Sequence, residues 1–297
     1  MLARCVVAGQ TVLVSRRCDD RRFLLRPDER INQVLLYCLA VFANKYGVLV
    51  HQFSAMSNHI HGTYTDTRGV LPDFLRDFGK ETALALKHLR PKRGCWWDSD
   101  EKPAVQALLT ESSILDKMAY GYVNPTAAGL VSDPEQWPGV NLAPEQVGTC
   151  IQVERPDFYF KNETKFPERV TLHIAPPPSF DGRVEWLRQA VRNVANEAIA
   201  QARAKLRAAG RWFLGVRGVV TTDPYARPGS EERAQAFIPA LAARSAEALR
   251  EGIKQLRAFR KAYRLAYLQW KAGDHTVLFP FGSWAMVRLH AARCAPG

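Results

Sequence analysis

The order of strand-like and helix-like segments in the first 109 residues constrains the fold of this chain more than any other feature. Four short apolar or β-branched runs are separated by two longer segments with helical spacing, in the order strand, helix, strand, strand, helix, strand. The runs are 11–14, 48–54, the stretch around His59 and His61, and 104–109. This is the order of a split βαβ unit. The sequence therefore predicts an α+β, ferredoxin-like sandwich with an antiparallel sheet.

The two histidines of the third run flank one apolar residue, Ile60. On a strand, both imidazoles would point to one face, about 7 Å apart at the backbone, while Ile60 points into a core. Two imidazoles so placed can bind one metal ion, and with oxygen ligands added they suit Mg²⁺ or Mn²⁺. The plainer alternative is a solvated strand. His51, on the preceding strand, is a candidate third ring or an ordinary surface or core histidine.

A third helix, starting near residue 112, carries Tyr120 and Asn124. Residues four apart lie on one helix face, so a phenol and an amide are presented side by side, and Pro125 is predicted to end the helix. Beside a metal-polarised phosphate, a tyrosine can attack phosphorus. The alternative is that Tyr120 is a core aromatic.

The composition indicates a polyanionic partner. The formal charge is +12, and a basic protein of 297 residues most often binds nucleic acid, although a cationic surface without a dedicated partner is the alternative. The six cysteines form no CxxC pair, which argues against a zinc ribbon or a disulfide scaffold. With no signal-peptide pattern and no apolar run long enough to cross a bilayer, we expect a cytoplasmic protein without membrane contact.

Basic and aromatic side chains alternate just after the second helix. Arg93, Trp96 and Trp97 would suit phosphate contacts and base stacking on single-stranded nucleic acid. Equally, the two tryptophans could tuck into the core beneath a surface loop.

The C-terminal half is predicted to be mostly helical and basic. Long helical patterns cover 182–209 and 245–272. The second carries one stripe of cations that could contact phosphates or form a solvated face: Arg257, Arg260, Lys261 and Arg264. We therefore divide the chain into a domain at 1–148 and a DNA-recognition or accessory region at 149–297.

Two segments then show a family resemblance. Met56-Ser57-Asn58-His59-Ile60-His61 and the stretch from Tyr120 to Val131, followed by Trp137-Pro138, resemble the two signature segments of single-tyrosine HUH transposases, especially the REP-associated branch. The resemblance covers about residues 1–145.

The resemblance implies a site and a reaction. His59, His61 and Asn124 would bind Mg²⁺ or Mn²⁺, and Tyr120 would be the nucleophile. Lys117, one turn before Tyr120, could supply the phosphate contact that relatives make with a basic residue after Asn-Pro; otherwise it is a solvated helix residue. Family members cleave and rejoin single-stranded, hairpin-containing DNA through a 5′-phosphotyrosine link, which implies a DNA endonuclease and strand transferase active in DNA transposition. Some act as homodimers and others as monomers, so the oligomeric state stays open.

The chain also departs from the family pattern. Ser57 replaces a proline, Gly62 replaces a bulky apolar residue, and no basic residue follows Asn124-Pro125 closely. Two alternatives therefore remain beside the active enzyme. One is a domesticated, catalytically inactive DNA-binding protein with the same fold, and the other is a metal-binding module for RNA or hairpins.

Overall fold

The computed structural model describes residues 3–99, 102–229 and 239–297, and a seven-stranded sheet runs through them in the order β5-β6-β2-β3-β1-β4-β7. The strands are β1 (Gln10–Arg17), β2 (Val48–Ala55), β3 (His59–Asp66), β4 (Ala104–Leu108), β5 (Thr149–Glu154), β6 (Arg169–Ile174) and β7 (Leu241–Ala242). The helices are α1 (Glu29–Tyr46), α2 (Leu71–Leu89), α3 (Glu111–Ala127), α4 (Val184–Ala208), α5 (Gly215–Thr221), α6 (Ala246–Lys271) and α7 (Trp284–His290).

The predicted ferredoxin-like sandwich is confirmed. The central strands β2, β3, β1 and β4 are mutually antiparallel neighbours, and α1 and α2 are the two helices of the split βαβ unit. Helix α1 begins where the Asp28 side chain accepts a hydrogen bond from the Ile31 amide. It ends at Gly47, whose φ of 66° is the left-handed conformation that a glycine adopts without strain.

The period of two in β3 divides its side chains between the two faces of the sheet. Ile60 and Tyr64 are buried on the face of α1 and α2, where the Tyr64 and Phe74 rings lie 5.4 Å apart. A Cβ on Gly62 would overlap the Tyr64 hydroxyl, so the bulky residue of the family pattern is replaced here by the neighbouring ring. His59 and His61 lie on the opposite face, which α3 covers.

The prediction that Pro125 ends α3 is wrong, because the helix continues to Ala127. The turn after the proline is held by the Ala128 amide, which donates to the Asn124 carbonyl, and by the Leu130 amide, which donates to the Pro125 carbonyl. A proline inside a helix crowds the carbonyl four residues earlier, here that of Gly121. Burial of this end of α3 against the sheet and α4 outweighs that cost.

The sheet continues past residue 148. Strands β5 and β6 form a hairpin that joins β2 through the parallel pair Val50 and Ile174. One buried apolar cluster extends from Val12 to Ile199, and α4 packs on α3. The predicted division after residue 148 therefore falls within a continuous sheet and core. Beyond β6, the described residues are largely helical, as predicted.

A smaller apolar cluster joins α6 and α7 around Phe279 and Met286. It contacts the rest of the chain where the Val6 amide donates to the Gly282 carbonyl and where Arg288 lies 3.5 Å from Asp73. None of the described helices is both long enough and apolar enough to span a membrane.

Candidate active site

The two histidines lie at the start of β3, near the middle of the sheet, with ring centroids 4.7 Å apart and planes at 85°. The Nδ1 of His59 is 2.7 Å from the Asn58 side-chain oxygen, so Nδ1 carries the proton and donates this hydrogen bond. Such a contact fixes the tautomer and the orientation of the ring and leaves Nε2 free for another ligand.

His61 is buried, and neither of its ring nitrogens has a hydrogen-bond partner among the described residues. Burial, together with nearby Arg17, lowers the pKa of His59 to about 4. Burial, followed by the charges of His59, Arg17 and Lys117, places the pKa of His61 well below its usual value. Both imidazoles are therefore neutral at pH 7, the form that binds metal ions.

Tyr120 approaches the histidines from α3. Its ring centroid is 5.2 Å from that of His61, with planes at 76°, and 45% of the residue is exposed. The Nζ of Lys117 lies 5.7 Å from the centre of the Tyr120 ring. Burial raises the pKa of Tyr120, and the positive charge of Arg17 partly offsets that rise. The phenol is thus accessible to a substrate while its ring contacts that of His61.

Asn124 lies one helical turn beyond Tyr120 on the same face and is buried. Its side-chain nitrogen has no hydrogen-bond partner among the described residues. Between the two, Gly121 packs so closely on the Gln52 side chain that a Cβ there would overlap it. The absent side chain at Gly121 therefore lets α3 approach the sheet.

These side chains fit a small divalent cation. Within the described ranges, no three histidine, cysteine, aspartate or glutamate side chains come together as a metal site. Two neutral imidazoles and one amide remain as the donor set, from His59, His61 and Asn124. The unpartnered buried nitrogens of His61 are the observation that supports this set, because buried polar atoms without partners are uncommon.

His51 is not a third metal ligand. Its Nδ1 lies 2.7 Å from the Ala175 carbonyl oxygen and its Nε2 lies 2.8 Å from the Thr65 hydroxyl, so both ring nitrogens are taken. A β-bulge between Val50 and Gln52 places His51 in this position.

Sequence reasoning missed four polar residues around the histidines. Arg17 pairs with His59 across β1 and β3, and Ser54 lies between His61 on β3 and Asn141 on the other side of β2. Buried side-chain atoms of Gln52, Ser54 and Asn141 lack hydrogen-bond partners among the described residues. The strand period alone would put Gln52 on the face of Val50; the bulge moves it to the histidine face.

The prediction that Trp96 and Trp97 stack on bases is wrong. Both are buried, and the Trp97 indole donates a 2.7 Å hydrogen bond to the Gly79 carbonyl. Their rings pack in the core, as the alternative interpretation stated. Arg93, which follows α2 and precedes the two tryptophans in the sequence, is exposed.

The predicted cations of α6 separate into two groups. Arg257 and Arg260 line a groove of about 580 Å³ together with Lys117 of α3. Lys261 and Arg264 are exposed outside the lining of that groove. The structure therefore brings Lys117, Arg257 and Arg260 together and leaves Arg93 apart from them.

The sequence matches no protein-family model and no curated protein. The fold is similar to the solved structure of a REP-associated tyrosine transposase bound to a REP hairpin, with a TM-score of 0.40, 17% identity, and coverage of 47% of this chain and 80% of that one. It is also similar to a putative transposase from Deinococcus radiodurans R1, with a TM-score of 0.30, 19% identity, and coverage of 38% and 89%. The likeness to both transposases is one of fold.

Proposed function

We propose that the protein cleaves single-stranded hairpin DNA and transfers the cut strand, using Tyr120 as the nucleophile and Mg²⁺ or Mn²⁺ as cofactor. The observation that carries the proposal is the contact of the half-exposed Tyr120 phenol with His61, a buried imidazole whose nitrogens have no partner. The proposed nucleophile thus lies against an imidazole whose nitrogens are available to a ligand.

The side chains have separate roles in this proposal. His59, His61 and Asn124 would hold the cation, which when bound would polarise the scissile phosphate. The Asn58 side chain keeps the His59 ring in one tautomer. Arg17 lowers the pKa of Tyr120 and so favours the phenolate. Lys117, close to the Tyr120 ring, adds positive charge that would favour an incoming phosphate.

The chemical step exchanges one phosphodiester for another. The Tyr120 Oη attacks phosphorus and forms a new P–O bond, while the bond from phosphorus to the 3′ oxygen of the leaving strand breaks. The phenol loses its proton to solvent, because this side chain is partly exposed, and the leaving oxygen takes up a proton to become a 3′-OH. Attack of another 3′-OH on the 5′-phosphotyrosine would reverse the step and join the strands.

A denaturation-resistant adduct tests the proposal. The protein is incubated with Mg²⁺ or Mn²⁺ and a 5′-side-labelled or 3′-side-labelled single-stranded hairpin, and the adduct is resolved on a denaturing gel. We expect a labelled adduct only when the label lies on the 3′ side of the cleavage point, because that fragment carries the 5′ phosphate. Tyr120→Phe should give no adduct with either label.

Tyr122→Phe is the matched control, because it removes the same atom two residues away. The Tyr122 hydroxyl instead accepts a 3.1 Å hydrogen bond from Arg192 on α4. We expect this variant to form the adduct and to lose about 1 kcal/mol of stability. An adduct that persists in Tyr120→Phe would refute the assignment, and hairpin binding without any adduct would indicate an inactive DNA-binding protein.

A further inference from the structure

We propose that the groove between β7, α3 and α6 binds the single-stranded DNA next to the scissile phosphate. We call it the edge groove, lined among others by Lys117, Arg244, Ile253, Arg257 and Arg260. The proposal rests on the proposed function, because it assigns a place to the strand that Tyr120 would attack. It gives the helical C-terminal region a defined part in substrate binding.

The floor of the edge groove is built by the last strand of the sheet. The Ala107 amide donates to the Ala240 carbonyl and the Leu109 amide to the Ala242 carbonyl, so β7 extends the sheet beyond β4. Gln106 donates from its side chain to the Pro239 carbonyl, 3.0 Å away. These bonds fix the backbone that carries the groove.

Helix α6 forms the outer wall. At Gly252 it approaches the sheet edge so closely that a Cβ would lie 2.5 Å from the Leu109 side chain. One and two turns further on, Leu256 and Arg260 line the groove together with residues 240–242, so this part of α6 lies beside the sheet edge. The wall therefore belongs to the same packed body as the candidate active site.

The groove opens on the face of the sheet that carries the histidines. Gln106, which lines the groove, pairs with Leu13 of β1, and Ser15 of β1 pairs with His61. Leu13 and Ser15 are two residues apart on one strand, so Gln106 and His61 lie on the same face of the sheet. Lys117 belongs to both places, since it lines the groove and lies beside the Tyr120 ring. A strand whose phosphate reaches Tyr120 can thus continue directly into the groove.

The charges of the groove favour a polyanion. Arg244 is neutralised by a two-pronged contact with Asp116, whereas Lys117, Arg257 and Arg260 form no ion pair with a described residue. The Nε of Arg260 is buried without a hydrogen-bond partner. Three uncompensated cations along one groove are suited to successive phosphates.

The remaining lining favours a single strand over a duplex. Leu249, Ile253 and Leu256 form an apolar side beside the cations. An unpaired strand can place base faces on such a surface and phosphates on the cations, whereas a duplex keeps its base faces stacked inside. The occupant is therefore a few unpaired nucleotides that flank the cleavage point.

Fluorescence anisotropy tests this with non-covalent binding, in a Tyr120→Phe background that prevents cleavage. Two labelled hairpins are compared, one with a single-stranded flank and one without it. Arg257→Gln is the test variant, and Lys271→Gln is the matched control, because Lys271 lies exposed at the end of the same helix and outside the groove. Thermal unfolding checks that both variants are folded.

For the flanked hairpin, Arg257→Gln should weaken binding roughly threefold to tenfold and lower the slope of log K against log salt by about 0.7, the value for one single-strand phosphate contact. Arg257→Gln should bind the flankless hairpin as tightly as the Tyr120→Phe parent does. Lys271→Gln should bind both hairpins as tightly as that parent. Equal losses in both variants, or no loss in Arg257→Gln, would overturn the proposal. The adduct assay with the parent protein separates this failure from failure of the proposed function, because an adduct that requires Tyr120 would support the cleavage whether or not the groove binds the flank.

Discussion

The phenol of Tyr120 and the imidazole of His61 meet edge to face with ring centroids 5.2 Å apart, although one lies on α3 and the other on β3. This contact joins the two motifs that lie far apart in the sequence. It also separates proposed roles that substitutions can test one at a time, because the strand carries the two proposed metal-binding imidazoles and the helix carries the proposed nucleophile and the amide of Asn124.

Replacing His61 by alanine should abolish metal binding while the fold persists. The imidazole makes no hydrogen bond with a described residue, so its loss leaves no new unpaired donor or acceptor. For the parent protein, Mn²⁺ at a hundred times its dissociation constant should stabilise the folded state by about 2.7 kcal/mol, measured as a rise in Tm. His61→Ala should show no rise, and the exposed His173→Ala should keep it. A full rise in His61→Ala would contradict the ligand assignment.

Cleavage should become faster as the pH rises from 7 to 9. Burial raises the pKa of Tyr120, so only a small fraction of the phenol is ionised at neutral pH. That fraction grows as the pH rises toward the pKa, and the cleavage rate should grow with it. Arg17→Gln removes the charge that lowers this pKa and should shift the alkaline limb of the profile to higher pH. The measurement is single-turnover adduct formation at saturating metal and DNA. Identical profiles in the two proteins would show that Arg17 does not act on the phenol.

Stability should fall as the pH drops from about 6.5 toward 4. Burial lowers the pKa of His51 to about 4, so the unfolded chain binds a proton in this range that the folded chain does not. The stabilisation from a neutral His51 is complete above the pKa that this histidine has in the unfolded chain. It is lost as the pH falls toward the pKa in the folded chain, and the total loss is about 3 kcal/mol. Urea unfolding at pH 7 and pH 4.5 measures this loss together with the losses from His59 and His61, whose pKa values burial also lowers. Equal free energies at the two pH values would exclude a neutral buried His51.

Gly121→Ala should disturb the tyrosine helix through one side chain. The added methyl group would overlap the end of the buried Gln52 side chain, at a cost of about 1–3 kcal/mol for overpacking that the higher helix propensity of alanine offsets by about 1 kcal/mol, and should displace the adjoining Tyr120. Gln52→Ala in the same chain should restore both stability and adduct formation, giving a favourable coupling energy in the double-mutant cycle. Gly229→Ala, where a Cβ has no atom within 4 Å, is the control. Additive effects would show that the two residues act independently.

The sequence was sufficient to predict the parts of the site that local periodicity controls. The period of two placed both histidines on one face of β3, and the spacing of four placed Asn124 beside Tyr120 on α3. The β-bulge at His51 is not visible in that period, and it decides which face Gln52 occupies. Hence the polar surroundings of the histidines were missed.

Long-range pairing explains the other differences. Arg17 reaches the site because β1 pairs with β3, a register that the residues of β1 do not encode alone. The pattern of Trp96 and Trp97 is the same for a base-stacking loop and for a loop anchored in the core, and only packing against α2 decides between them. Likewise, the burial of Pro125 within α3 outweighs the tendency of a proline to end a helix.

The position of β3 as the fourth of seven strands has a consequence for heating. Strands with a neighbour on each side open only with the whole sheet, whereas a helix on the surface of a sheet can loosen earlier. As the temperature rises, a shift of α3 should therefore move Tyr120 and Asn124 away from the histidines while β3 still holds His59 and His61 in place. The proposed cleavage would then stop, and the proposed cation site would keep its two imidazoles and lose its amide before the sheet itself unfolds.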